Sequence, residues 1–258
     1  MKNILYFVFV VLLVASCMKN DGGSGMDTGQ GGSMARFTIN SDGSFLYTVS
    51  PNTMKIFNIE DAANPIYHPQ RDIQIGFDIE TIFPMDTLLF IGSRNGMFIY
   101  DISEPRFPTF LSEASHFRSC DPVVAFDKYA YVTLNTITTN CGRTPNNVLE
   151  VYDISDLLKP TSIQTVQMNG PTGLGVDGVK QKLFVCDRGL KVFDISNPLN
   201  IKQTDDHVDI AEVDIREAYD VIPLKELELL ILVAKEGLFQ FDYSGEKLKF
   251  VSKIEIKH

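Results

Sequence analysis

The sequence predicts an all-β protein built from five similar units, and three observations carry that prediction. A strand ending written FIYDIS at 98–103 returns as EVYDIS at 150–155 and KVFDIS at 191–196, with weaker echoes KIFNIE at 55–60 and FQFDYS at 239–244. Aligned on the residue after the aromatic, Asn58, Asp101, Asp153, Asp194 and Asp242 are spaced by 43, 52, 41 and 48 residues, the size of a four-stranded unit. Short segments such as LLFIGS and KLFVCD are apolar at consecutive positions, whereas a sheet with one wet face would alternate. Sheets covered on both faces and repeated in a ring, with only short protected edges, are the blades of a propeller. The expected fold is therefore a five-bladed β-propeller with four-stranded antiparallel blades.

Taken in chain order, the first element is a leader. MKNILYFVFVVLLVASC has one early Lys, an apolar run from Ile4 to Val14 and small residues up to Cys17. That is the pattern of a secretory signal peptide over 1–16, and the run is shorter than the roughly 20 apolar residues a membrane-spanning helix needs. LVASC resembles the lipobox of bacterial lipoproteins, which implies lipidation of Cys17 and a membrane partner reached through that anchor. Acyl chains on one residue add about 0.8 kcal/mol per buried methylene. From 17 to 35 the Gly-, Ser- and Asp-rich stretch reads as a flexible tether, and the propeller is expected over 36–258. KND after Cys17 resembles the signals that send some lipoproteins to the surface, so the expected location is the outer membrane or cell surface.

Within the repeats, RFTIN, ETIFP, PVVAF, TGLGV and YDVIP read as first strands, and FLYTVS, LLFIGS, YAYVTL, KLFVCD and LLILVA as second strands. The aromatic and Ile of each YDIS-like ending belong to the third strand, and the Asp and Ser open the turn to the fourth. Their side chains can accept backbone N–H bonds two residues on. Prolines at 65, 105, 108, 160 and 198 follow these turns and mark outer edges, because they cannot donate to a ladder. Calcium ligation by the Asp set is the alternative, but each unit offers one carboxylate without the close oxygen donors such a site requires.

ETIFP, GMFIYDIS, SCDPVV, AYVTL, LFVCD, GLKVFDIS and YDVIPL together resemble the LVIVD-repeat proteins, β-propellers of bacterial and archaeal cell envelopes, from about Arg36 onward. The resemblance implies the fold and an envelope location and no established chemistry. CDRGLKVF departs from it through a shorter loop.

Net charge of -10 excludes a nucleic-acid surface, which needs basic patches. In an exported chain the cysteines can oxidise: Cys120 and Cys141 are paired as an expected disulfide, and Cys186, inside an apolar strand, is expected to be a buried free thiol. Cys120 enters an inner strand and Cys141 lies in the long loop NTITTNCGRTPNN, residues 135–147, on the same expected face.

Residues entering the inner strands line the axial face where propeller ligands approach. By that topology the candidate ligand-binding residues are Glu80, His116, Arg118, Asp121, Arg216, Tyr219 and Asp220, with Asp78, Asn169, Thr172 and Glu217 beside them. Such a set could recognise a protein or a glycan, or form an ion-pair network. The four His are scattered without paired ligand spacing, so no metal is expected; the Gly-rich NGPTGLGV opens a strand, not a helix, and no other cofactor motif is present. The expected function is a non-catalytic binding module. The rival reading is an envelope carbohydrate hydrolase using Asp78, Asp121, Glu217 and Asp220, although the chain has no Trp to serve as a sugar platform.

Overall fold

The computed structural model describes residues 32–115, 122–136, 147–204, 215 and 217–255. They form five antiparallel sheets, each made of consecutive strands, arranged as the blades of a propeller. Blade one holds β1 (Phe37–Ile39), β2 (Phe45–Ser50), β3 (Thr53–Asn58), β4 (Ile66–Tyr67) and β5 (Ile73–Gln74). Blade two holds β6 (Ile79–Met85), β7 (Leu88–Ser93), β8 (Gly96–Asp101) and β9 (Thr109–Ser115). Blade three holds β10 (Val123–Phe126), β11 (Tyr129–Leu134), β12 (Val148–Asp153) and β13 (Thr161–Gln167). Blade four holds β14 (Pro171–Asp177), β15 (Lys182–Asp187), β16 (Leu190–Asp194) and β17 (Lys202–Gln203). Blade five holds β18 (Ala218–Leu224), β19 (Leu229–Ala234), β20 (Gly237–Asp242) and β21 (Lys249–Ile254).

The recurring DIS ending has the local role its chemistry suggests. Asp101, Asp153, Asp194 and Asp242 each accept the backbone N–H two residues on through Oδ1, at 2.7, 2.8, 2.8 and 2.7 Å, and Asn58 does the same at 3.0 Å. The residue in between also donates its N–H to the turn joining the blade's first two strands: Ile102 to Thr87, Ile154 to Lys128 and Ile195 to Gln181, at 2.7, 2.9 and 2.9 Å. Those turns pass through a residue with positive φ in every blade, at Gly43, Asp86, Asp127, Gln181 and Glu228. The motif thus ties the end of the third strand to the first hairpin, and the isoleucine is buried beneath it.

One departure from four strands occurs in blade one. Its outer edge is split, with β3 pairing β4 at Phe57 and Asn58 and β5 at Thr53 and Met54, because a 3-10 turn at Pro69–Arg71 interrupts the edge strand.

Apolar clusters fill the spaces between blades one and two, two to four, and four and five. Side chains such as Phe90, Leu149, Phe184 and Phe239 have no exposed surface, and each such burial contributes about 1.5–3 kcal/mol. In the two inner strands of the middle blades the burial is nearly continuous, as expected. Blades one and five instead alternate: β2 buries Phe45, Tyr47 and Val49 and leaves Leu46, Thr48 and Ser50 partly exposed, while β19 buries Leu230, Leu232 and Ala234 and leaves Leu229, Ile231 and Val233 partly exposed. Among the described residues no buried apolar cluster joins blades five and one.

What does join them is the chain ahead of β1. The composition ends the tether at 35, but Gly32 and Ser33 are already buried, Ser33 with no exposed surface. Leu174 N–H of blade four donates to Ser33 Oγ at 2.7 Å, and Ser33 Oγ donates to Asp220 of blade five at 3.1 Å. Ala35 O accepts from Ile82 of blade two, and Arg36 O from Val49 of blade one, at 2.9 and 2.8 Å. Residues 32–36 therefore form a strap that links blades four and five to blades one and two.

Candidate functional site

The axial entrance is built from the starts of the inner strands and the ends of the second strands, which register places side by side: Ile79 opposite Ser93, Pro171 opposite Asp187, and Ala218 opposite Ala234. In each of these three blades a β-bulge falls at that point. Glu80 is the extra residue between Ile79 and Thr81, Tyr219 the extra one between Ala218 and Asp220, and Thr172 with Gly173 face the single residue Cys186. A bulge leaves its residue outside the ladder and re-aims the side chain, which is why bulges recur beside binding sites. Tyr219 is 44% exposed and Glu80 is partly exposed.

Asp220 points inward. Its carboxyl accepts from Ser33 Oγ, from Met34 N–H at 3.4 Å and from Val221 N–H at 3.0 Å. The glycines on both sides make this approach possible, since a Cβ on Gly32 would lie 2.0 Å from Asp220 Oδ2 and one on Gly173 2.1 Å from Oδ1. Loss of hydration in this crowded position pushes the Asp220 pKa up, against the lowering effect of the bonds it accepts.

The other described carboxylates at this entrance also have partners. Asp78 pairs with Arg94 at 3.0 Å, and Glu217 pairs with Lys235 at 2.9 Å. That second pair is half-exposed, so it adds little to stability. Asn169 donates its N–H to Asp187, and Thr172 Oγ1 donates to the Ala218 carbonyl at 2.8 Å. His116, Arg118, Asp121 and Arg216 lie outside the described residues, as do Cys120, Cys141 and the leader with Cys17. Of the seven candidates, the structure therefore places Glu80, Tyr219 and Asp220, on two blades.

Two features of the entrance have no distinctive sequence signal. Asp187, a buried carboxylate, accepts from Gly170 N–H at 2.6 Å, from Asn169 N–H at 3.0 Å and from Lys191 at 2.6 Å. Its position at the end of β15 matches Ser93 at the end of β7, whose hydroxyl also bonds the neighbouring turn. The base of the long loop is pinned to blade four: Asn147 Nδ2 donates to the Asn169 carbonyl at 2.6 Å, and Asn135 Nδ2 to the Pro171 carbonyl at 2.8 Å. Cys186 is fully buried and free, as its apolar strand suggests, and burial pushes its thiol pKa well up. Among the described residues no three His, Cys, Asp or Glu side chains gather closely enough to hold a metal ion.

The LVIVD-repeat family model matches residues 88–114 and 183–202, which are β7–β9 of blade two and β15–β17 of blade four. A crystal structure of a functionally unknown protein from Desulfotomaculum acetoxidans is similar over 86% of this chain and 69% of its own, at 12% identity and a TM-score of 0.66. Apo AztD from Citrobacter koseri is similar over 85% of this chain and 61% of its own, at 13% identity and a TM-score of 0.62. A search of curated proteins finds no match. At these identities the likeness concerns the fold. The repeat match and the architecture agree: the chain is a five-bladed β-propeller carrying LVIVD repeats in its second and fourth blades.

Proposed function

We propose that this propeller is exported, lipidated on Cys17 and tethered at the outer membrane or cell surface, where its axial face serves as a non-catalytic docking site for a protein or glycan. The observation that carries this reading is the strap. Residues 32–36 link blades four and five to blades one and two, and Asp220 is turned onto them instead of onto an open pit. A glycosidase would need two carboxyl groups facing the substrate about 5 to 9 Å apart. Asp78, Glu217 and Asp220, three of the four carboxylates that could supply that pair, are each engaged by a partner within the chain.

The bulged Tyr219 offers an exposed ring and Glu80 a carboxylate at the rim. In sequence, Arg118, His116 and Asp121 precede the inner strand of blade three and Arg216 that of blade five, which is the ground for including them in the proposed site. A rim that offers an aromatic ring and a carboxylate suits a hydroxyl-rich or peptide partner.

The test is a glycan array and an envelope pull-down with the soluble domain, repeated with Arg118→Ala, Arg216→Ala and Tyr219→Ala, with thermal melting of each variant alongside. The expected result is loss of binding at nearly unchanged melting temperature. Lowered stability with intact binding would overturn the site, because removing one member of a buried ion pair costs about 3 to 5 kcal/mol.

A further inference from the structure

At the outer edge of blades one and two, away from the axis, a cavity of about 310 Å³ lies beside the 3-10 turn that splits the edge of blade one. Its walls carry two arginines from different blades. Arg71, the last residue of the turn, lies over the ring of Phe107 at 5.1 Å, and Arg106 lies over the ring of Phe45 at 5.9 Å. Stacking on an aromatic face fixes the guanidinium plane and leaves its N–H fork free to meet an acceptor.

Neither arginine has a carboxylate within 4.0 Å among the described residues. The acid in the lining, Asp72, is engaged by the Tyr67 hydroxyl, which lies 2.9 and 2.8 Å from its two oxygens. Two cations and one hydrogen-bonded carboxylate therefore line the cavity, which leaves it net positive in a chain of net charge -10. Ile56 and Ile73 add apolar surface to the lining. The blades are fixed to each other at this point by the Tyr47 hydroxyl, which donates to the Pro105 carbonyl at 2.9 Å.

From this arrangement we infer that the Arg71–Arg106 cavity is a binding site for a small oxyanion, a carboxylate or phosphate group carried on a compact apolar body. Planar donor forks match the two oxygens of such a group. The volume lies at the lower end of ligand pockets, about 300 to 1,000 Å³, so the whole ligand is small. The negative charge of the rest of the protein repels extended polyanions, which excludes nucleic acid and anionic lipid surfaces as occupants. Phe107, which lines the cavity, is 57% exposed and offers its ring to the apolar body.

The experiment titrates the soluble domain with benzoate, phenyl phosphate, inorganic phosphate and uncharged benzamide, by calorimetry or by shifts of the Phe107 ring resonances. Benzoate or phenyl phosphate binds saturably, and the tighter of the two identifies the group as carboxylate or phosphate. Arg71→Gln and Arg106→Gln each weaken that binding about ten-fold or more, the loss expected for a hydrogen bond to a charged group. Lys249→Gln, on the outer edge of blade five, leaves it unchanged. Melting curves of the variants confirm that the fold is intact. The inference is overturned if neither ring-bearing anion binds, if both arginine variants bind as the parent does, if benzamide binds as tightly as benzoate, or if inorganic phosphate binds as tightly as phenyl phosphate. These readouts do not involve the axial face.

Discussion

Replacing Ser33 with alanine tests whether the strap holds the ring together. Ser33 is fully buried and bridges two blades, accepting from Leu174 N–H at 2.7 Å and donating to Asp220 Oδ1 at 3.1 Å. Leu174 has no exposed surface, so its N–H cannot turn to water once the hydroxyl is gone. An orphaned buried donor costs about 1–3 kcal/mol, and a lost bond to a charged acceptor about 1.5–3 kcal/mol. The two losses share one hydroxyl and do not simply add, which makes about 3 kcal/mol the expected total. In a domain of this size 1 kcal/mol moves the melting temperature by about 2–4 °C, so Ser33→Ala should lower it by about 6–12 °C. Differential scanning calorimetry measures this directly, with the exposed Ser103→Ala as a control expected within about 0.5 kcal/mol of the parent. Gly32→Ala should be at least as damaging, because its Cβ would meet Asp220 Oδ2 at 2.0 Å. A Ser33→Ala protein melting within a degree of the parent would refute the reasoning.

Stability should respond to acid in two opposite ways. The Asp220 pKa is raised, so its contribution is present at low pH and is lost as pH rises through its folded value. Asp153, Asp194 and Asp242 are lowered by bonds from Ser155, Ser196 and Ser244, so theirs is present above the unfolded value of about 4 and is lost as pH falls through their folded values. Urea midpoints measured from pH 3 to 8 should therefore show Asp220→Asn removing the decline on the neutral side while keeping the decline on the acid side; an unchanged profile would contradict the assignment. Cys17→Ala should release the protein from the membrane fraction without changing its melting curve, and retention with a cleaved leader would rule out lipidation. Non-reducing peptide mapping of the exported protein should find Cys120 joined to Cys141. Reducing that bond should cost roughly 3 kcal/mol for a loop of about 20 residues; free thiols at both positions in oxidised material would disprove the pairing.

The blade count and most strand positions were legible because they rest on short-range chemistry. An Asp that accepts the N–H two residues on leaves a local signature, and it recurs wherever a third strand ends, at Asp101, Asp153 and Asp194. Consecutive apolar residues marked the second strands in the same way, so that LLFIGS, YAYVTL, KLFVCD and LLILVA coincide with β7, β11, β15 and β19. The same apolar runs could not tell a covered face from a partly open one: LLILVA in blade five is as apolar as LLFIGS in blade two, yet it buries alternate residues where blade two buries nearly all.

At the entrance, the order of strands was enough to place Glu80, Tyr219 and Asp220 near the axis, but not to say which way each side chain would turn. A bulge sends Tyr219 toward solvent, while Asp220 closes on Ser33, 187 positions away in the chain. Nothing in GGSM distinguishes a strap from a tether, since Gly and Ser are the composition of both. Its bonds reach Leu174 and Asp220, 141 and 187 residues distant, and Arg71 meets Phe107 only because a turn in one blade faces a loop of the next. A hydrogen bond between near neighbours is encoded by the residues that make it. A bond between distant residues exists only once the intervening blades have packed and set the distance between its partners.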